Sequence, residues 1–223
     1  MVCCRARLTC CPLNRTMLIR NLFEFKNNRL MSGVKEFMLN AGLREINYGV
    51  HAIAFMNKTG EIVKVFEYDP CYQQFVLMVK KNESNPHFPN IRKIASFRRR
   101  DLAGAFMVKM EPLTPLSVGE WRGNIGLHCY MFIEHTLFGV DVGATYDMPN
   151  AVKGDLGGDP TRDSTAYNRA KIFASEWQDA NPLFAKAINL SVFGKGRNCN
   201  LDLHGGNFMK RGDTWVITDP YIE

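Results

Sequence analysis

Asp202-Leu203-His204-Gly205-Gly206-Asn207, with Asp219 further along, is the part of this 223-residue chain whose residue types and spacing could carry chemistry. Transfer of a phosphoryl group from a nucleotide needs positioned phosphates, metal ions that bridge them and a carboxylate that orients the attacking hydroxyl. Asp202 and Asn207 flank a turn containing Gly205 and Gly206, which lets the two side chains converge. Asn207 leads into a hairpin: a strand from Phe208 to Lys210, a turn at Arg211-Gly212-Asp213, and a return strand from Thr214 to Thr218. The return strand brings Asp219 back beside Asn207. An amide oxygen and a carboxylate so paired suit magnesium, a hard cation that prefers oxygen. Asp202, in the same loop, would face the phosphate acceptor. The bland alternative for these residues is an Asp/Asn turn followed by an ordinary hairpin.

The upstream half offers parts that fit the same chemistry. In Ile62-Val63-Lys64-Val65-Phe66, period-two alternation puts Lys64 on the face of Ile62 and Phe66. A lone lysine in an apolar strand is costly to bury unless an anion meets it, and ATP phosphates would; otherwise it snorkels from an edge strand. Gly49-Val50-His51-Ala52-Ile53 lies where a phosphate-covering loop belongs, with Gly49 as its one glycine. Met110-Glu111-Pro112-Leu113 falls where backbone groups would hydrogen-bond adenine, which makes Met110 and Glu111 candidate nucleotide contacts. The cofactors this order of parts calls for are ATP and magnesium.

These residues must be held by a small set of elements. Ser32 can cap a helix whose apolar residues Val34, Phe37, Met38 and Ala41 recur at helical spacing, with Gly42 as its stop. Strands from Val50 to Met56 and from Glu61 to Tyr68 flank the turn Asn57-Lys58-Thr59-Gly60. Asp69-Pro70 opens a helix through Gln73, Phe75, Met78 and Val79, and Asn85-Pro86 and Phe88-Pro89 break the chain after it. Two further strands, Ile91 to Phe97 and Ala103 to Met110, enclose the run Arg98-Arg99-Arg100. Beyond the linker Glu111 to Pro115 helices dominate, one of them started by Asn181-Pro182 and ended by Gly194. Gly154 to Asp163 reads as a flexible loop, without the ligand offsets and terminal glutamate of a calcium loop. The expected class is α+β, with an antiparallel sheet followed by a mainly helical half.

Asp202-Leu203-His204-Gly205-Gly206-Asn207-Phe208-Met209 with Val216-Ile217-Thr218-Asp219-Pro220 resembles the catalytic loop and metal-binding hairpin of protein kinases. More narrowly, it resembles the early serine/threonine protein kinases of short-tailed coliphages, in which the metal-binding Asp is likewise followed by Pro. The resemblance covers roughly Gly42 to Glu223. It implies a two-lobed kinase-like fold, with a leader at residues 1–30, an N-lobe at 31–111 that carries the nucleotide-binding sheet, and a reduced C-lobe at 112–223. It implies Asp202 as catalytic base, Asn207 and Asp219 as magnesium ligands, and Lys64 as the phosphate-binding lysine. Its substrates would be host proteins, including transcription and RNA-processing machinery, met in the host cytoplasm.

The sequence also departs from the kinase pattern. Asn200 stands where most kinases carry His, and Leu201 replaces the usual Arg, so activation-loop control through that Arg is not expected. The helix after Lys64 contains Gln73 and Gln74 but no glutamate; Glu83 lies past its expected end. Four residues follow Asp219, which gives the expectation of no activation segment. These departures keep open a nucleotide-binding protein that inhibits a host factor by contact. A small-molecule phosphotransferase of the aminoglycoside or choline type shares the loop and is a further alternative.

Composition narrows the classes. The chain is 46% hydrophobic and 22% charged, ordinary values for a globular protein. Its most apolar stretch, Leu127 to Val142, is interrupted by His128, Glu134, His135 and Asp141, well short of the ~20 apolar residues of a spanning helix. No apolar block with a cleavage site follows Met1 to Arg7, so neither a secretory signal nor a membrane partner is expected. Met17 or Met31 is an alternative start. Seven cysteines, an odd number, read as free thiols in a reducing compartment, and the adjacent pairs Cys3-Cys4 and Cys10-Cys11 lack zinc-knuckle spacing. A net charge of +6 suits polyanionic ligands, and Arg98 to Arg100 could meet nucleic acid or an acidic protein, or form a solvated turn.

Overall fold

Alternating apolar residues in the first half of the chain build a sheet. In the computed structural model, which describes residues 35–36, 38–48, 52–66, 69–96, 106–137, 148–196 and 198–222, five strands form that sheet. They are β1 (Arg44–Tyr48), β2 (Ala52–Met56), β3 (Ile62–Phe66), β4 (Ile91–Ser96) and β5 (Phe106–Met110), in the order β1-β2-β3-β5-β4. The pairs β1–β2, β2–β3 and β3–β5 are antiparallel. Ile53, Phe55, Val63 and Val65 bury together with Met38, with Leu43 packed alongside. The helical residues 38–40 stop at Gly42, whose φ of 82° lets the Gly42 amide reach Leu39 O and the Leu43 amide reach Met38 O. Asn57 Oδ1 accepts from the amides of Thr59 and Glu61, which closes the β2–β3 turn. The Glu61 carboxylate pairs with Lys109 and Arg92; hydrogen bonds from Lys109 and Asn57 hold it down at about 2.

The described chain divides into two compact units. The first is the described part of Met1–Asp69 together with Arg92–Met110; the second is Pro70–Ile91 with Glu111–Glu223. The second unit contains six helices among the described residues: α1 (Pro70–Lys81), α2 (Val118–Gly123), α3 (Ile125–Leu137), α4 (Asn150–Asp155), α5 (Ser164–Ala180) and α6 (Pro182–Gly194). Two small sheets accompany them. One orders β6 (Thr114–Pro115), β8 (Phe208–Arg211) and β9 (Thr214–Ile217); the other pairs β7 (Asn200–Leu201) with β10 (Tyr221–Ile222). The described fold is therefore mixed α+β, with an antiparallel sheet and several helices.

Close helix packing sets this second core. α5 buries a stripe of small residues, Ala166, Ala170 and Ala174, and packs against α3. A side chain at Gly126 of α3 would come within 2.7 Å of Trp177 Cβ, so glycine permits that approach. α6 starts on Pro182 and buries Phe184, Ala187, Ile188 and Val192. α1 buries Cys71, Tyr72, Phe75, Val76, Met78 and Val79 and packs on α6 and β10. There Phe75 meets the edge of Tyr221, whose hydroxyl donates to Ser191 O at 2.7 Å.

The sequence-based expectations need three corrections. Pro70–Ile91, expected in the first lobe, belongs with the second unit, because the buried face of α1 has its partners in α6 and β10. Not all cysteines are free: Cys71 and Cys199 form a disulfide, while Cys129 is free and buried, its thiol pushed up to about 12 by burial. Gly154 to Asp163 is not wholly a loop: α4 runs to Asp155, and Asp163 caps α5 by accepting from the amides of Thr165 and Ala166. Residues 1–34, including the leader and its cysteines, and Arg98 to Arg100 lie outside the described residues. No helix among the described residues is long and apolar enough to cross a membrane.

Candidate functional site

The candidate loop is fastened at both ends. β7 and β10 run antiparallel, with Leu201 opposite Tyr221 and Asn200 opposite Ile222. The Asp202 amide extends this ladder, donating to Pro220 O at 2.7 Å. At the other end the Asn207 carbonyl accepts from the Thr218 amide at 2.9 Å and the Thr218 hydroxyl at 3.0 Å. Thr218-Asp219-Pro220 is thereby strapped across the loop, with Asp219 between the two attachments. Asp202, Asn207 and Asp219 are brought together by these two backbone bonds and the Thr218 hydroxyl, before any ligand is considered.

Side-chain bonds then set the polarity of the site. Asn207 Nδ2 donates to Asp202 O at 2.6 Å and to Asp202 Oδ2 at 3.0 Å. Both partners are acceptors, so only the NH2 side of the amide fits there. The Asn207 amide oxygen is left as that side chain's acceptor. His204 Nε2 lies 3.4 Å from Asp202 Oδ2, and His204 Nδ1 accepts from the Gly206 amide at 3.0 Å. A 3-10 turn over Gly205–Asn207 closes with the Asn207 amide bonded to His204 O. The Asp202 side chain is 33% exposed and that of His204 60%, so the loop is open to solvent.

Sequence reasoning assigned the two glycines a general freedom, and the structure gives each its own steric cause. A Cβ on Gly205 would lie 2.9 Å from Trp121 Cγ, and one on Gly206 would lie 2.7 Å from His204 Cε1. Trp121 belongs to α2, which Ser117 and Glu120 start with a reciprocal capping box. Its ring packs at 4.9 Å from Phe208 and 6.3 Å from Trp215, and His128 Nε2 meets its carbonyl at 2.9 Å. Burial lowers the His128 imidazole below its ordinary value. Lys210 pairs with Glu120; that bond, with those from Ser117, holds the Glu120 carboxyl down at about 2. The floor beneath the loop is thus aromatic.

The hairpin is tied to the segment after α1. The Ile217 amide donates to His87 O, and His87 Nδ1 meets Trp215 O at 2.8 Å while its ring stacks on Phe184. Arg211 donates to Pro86 O, Phe88 O and the Glu111 carboxylate. Glu111, a candidate adenine contact, is engaged internally: its amide donates to Asn90 O at 3.3 Å, and its Oε1 accepts from the Asn90 amide at 2.7 Å. That backbone donor is already in use.

The remaining candidates belong to the first unit. Lys64 is half-buried on β3, opposite Ala54 and Val108, with its ammonium 4.8 Å from the Phe66 ring centroid. It shares the Ile62 and Phe66 face, while Val63 and Val65 turn to the Met38 core. Met110 pairs with Ile62. Gly49 lies outside the described residues. Among the described residues no group of three or more His, Cys, Asp and Glu side chains could hold a metal ion. The Asn207 amide oxygen and the Asp219 carboxylate are donors of the chemical type a hard cation takes.

Sequence reasoning missed His204, Thr218 and Trp121 as parts of this site. His204 and Thr218 sit inside the motif and were legible as polar side chains beside candidate residues. Trp121 depends on a contact distant in sequence, with Gly205. No protein-family model and no curated protein matches this chain.

Proposed function

We propose that this chain is an ATP- and magnesium-dependent phosphotransferase of protein-kinase-like, two-lobed architecture that phosphorylates proteins on Ser or Thr. The observation that carries the reading is the strap Thr218-Asp219-Pro220, bonded to Asn207 at one end and Asp202 at the other. It draws together the backbones of Asp202, Asn207 and Asp219, the residues this reading uses. Asp202 accepts the proton of the acceptor hydroxyl as the new oxygen–phosphorus bond forms and ADP leaves, so one phosphoryl group moves and one proton is released. Asn207 and Asp219 would hold magnesium, which supplies neutralisation of phosphate charge when bound. Lys64, which shares its strand face with Ile62 and Phe66, is assigned to the nucleotide phosphates by the resemblance to kinases. The resemblance to early kinases of short-tailed coliphages makes host proteins the proposed substrates.

Radiolabel transfer from ATP, with and without magnesium, tests the reading on the parent, Asp202→Asn and Asp219→Asn. Transfer by the parent and its loss in both variants is expected; equal labelling in all three would sink the proposal. A second reading, a nucleotide-binding protein without turnover, is favoured by α1, Pro70–Lys81, which carries no glutamate to pair with Lys64. A thermal shift with ATP and magnesium, the same in Asp202→Asn and with no transfer in the parent, would select it.

A further inference from the structure

We propose that His204 is a positioning residue that holds Asp202 by Oδ2 and leaves Oδ1 as the oxygen that takes the acceptor proton. The proposal rests on the phosphotransferase reading above. An amide N–H can only donate, so the Gly206 amide at 3.0 Å requires a lone pair on His204 Nδ1. In the neutral imidazole the proton is then on Nε2. That nitrogen lies 3.4 Å from Asp202 Oδ2, the oxygen that Asn207 Nδ2 reaches at 3.0 Å. Two N–H groups therefore converge on one carboxylate oxygen. Catalytic contacts of this length commonly tighten once substrate is bound.

With Asn207 Nδ2 at 3.0 Å and His204 Nε2 at 3.4 Å, Oδ2 is the oxygen the protein itself occupies. Among the described residues, Oδ1 makes no hydrogen bond. Oδ1 therefore receives the hydroxyl proton while that hydroxyl oxygen bonds to the γ-phosphorus of ATP. The bond from phosphorus to the bridging oxygen breaks, and ADP carries off its electron pair. Gly206 keeps the ring in place: a Cβ there would meet His204 Cε1 at 2.7 Å and push the imidazole off Asp202. The bond to Gly206 alone would be an ordinary cap of the 3-10 turn. The second contact, to the carboxylate, is what a cap does not need.

The experiment separates those two roles. Nitrogen-15 NMR of the imidazole in the full chain is expected to find the Nε2–H tautomer; the Nδ1–H tautomer overturns the proposal. In transfer assays with ATP, magnesium and a generic protein acceptor, His204→Asn keeps a cap acceptor for Gly206 but has nothing at the Nε2 position. Its kcat should fall about tenfold or more, with KM for ATP unchanged. His204→Gln, whose longer amide reaches Asp202, should restore most of that loss. Melting temperatures of both variants show whether either has simply unfolded. A kcat for His204→Asn equal to the parent's overturns this role alone. A parent that transfers no phosphate overturns the functional reading, while the tautomer measurement still tests the geometry on the same sample.

Discussion

Thr218 donates twice to the carbonyl of Asn207, from its amide at 2.9 Å and its hydroxyl at 3.0 Å. Thr218 is 8% exposed, so the hydroxyl has little access to water in place of that bond. Thr218→Val keeps the shape and the amide bond and deletes only the hydroxyl bond. It should lower stability by about 1 kcal/mol and weaken ATP–magnesium binding by freeing Asp219. Thr218→Ser should behave as the parent. Urea denaturation and calorimetric titration measure both effects; unchanged values for the valine variant would show that the strap does not depend on the hydroxyl.

Gly205 lies against Trp121, with 2.9 Å between a virtual Cβ and the indole Cγ. Gly205→Ala should cost about 1–3 kcal/mol, the usual scale of overpacking a filled site. Pairing it with Trp121→Leu removes the obstructing ring, so the two costs should be strongly non-additive. Additive losses in a double-mutant cycle would remove Trp121 as the reason for the glycine.

The Cys71–Cys199 bond joins α1 to the residue before β7. Reduction with dithiothreitol should lower the unfolding free energy by about 2–4 kcal/mol. Cys71→Ser should start from the lowered value and not respond to the reductant. A denaturation midpoint that reductant leaves unmoved in the parent would show that the bond contributes nothing to folding.

His87 and His128 both titrate below the ordinary imidazole range in the folded chain, chiefly because burial disfavours their charged forms. Above the unfolded value of about 6.5 both states are neutral there, and neither residue affects stability. Below it the unfolded chain binds more protons, so stability falls as pH drops from about 6.5 toward the folded values. His87→Asn and His128→Gln keep an N–H for Trp215 O and Trp121 O while removing the titration. The double variant should show a flatter stability profile between about pH 7 and pH 5.5 than the parent. An identical slope would assign the pH dependence to other groups.

The sequence was most informative where partners are close along the chain. Asp202, Asn207 and Asp219 converge through one hairpin, whose length and turn residues can be counted. The alternation around Lys64 likewise identified the face it shares with Ile62 and Phe66, because strand period is local. Long-range pairings were not legible. The apolar stripe of α1 announces that it is buried but not that α6 and β10 cover it. Cys199 and Cys71 are separated by 128 residues, and an odd cysteine count gave no pairing. Gly205 looked like a flexible turn residue because nothing near it in sequence points to Trp121.

The two-residue ladder between β7 and β10 has a consequence for synthesis. The segment carrying Asp202 and Asn207 leaves the ribosome before the strand that completes its anchoring. Until Tyr221 and Ile222 emerge, the Leu201 side of the loop has no sheet partner among the described residues, and Pro220 is not yet there to receive the Asp202 amide. The loop is therefore anchored only after β10 has been made. A nascent chain that lacks β10 would carry every candidate catalytic residue without the ladder that anchors their loop.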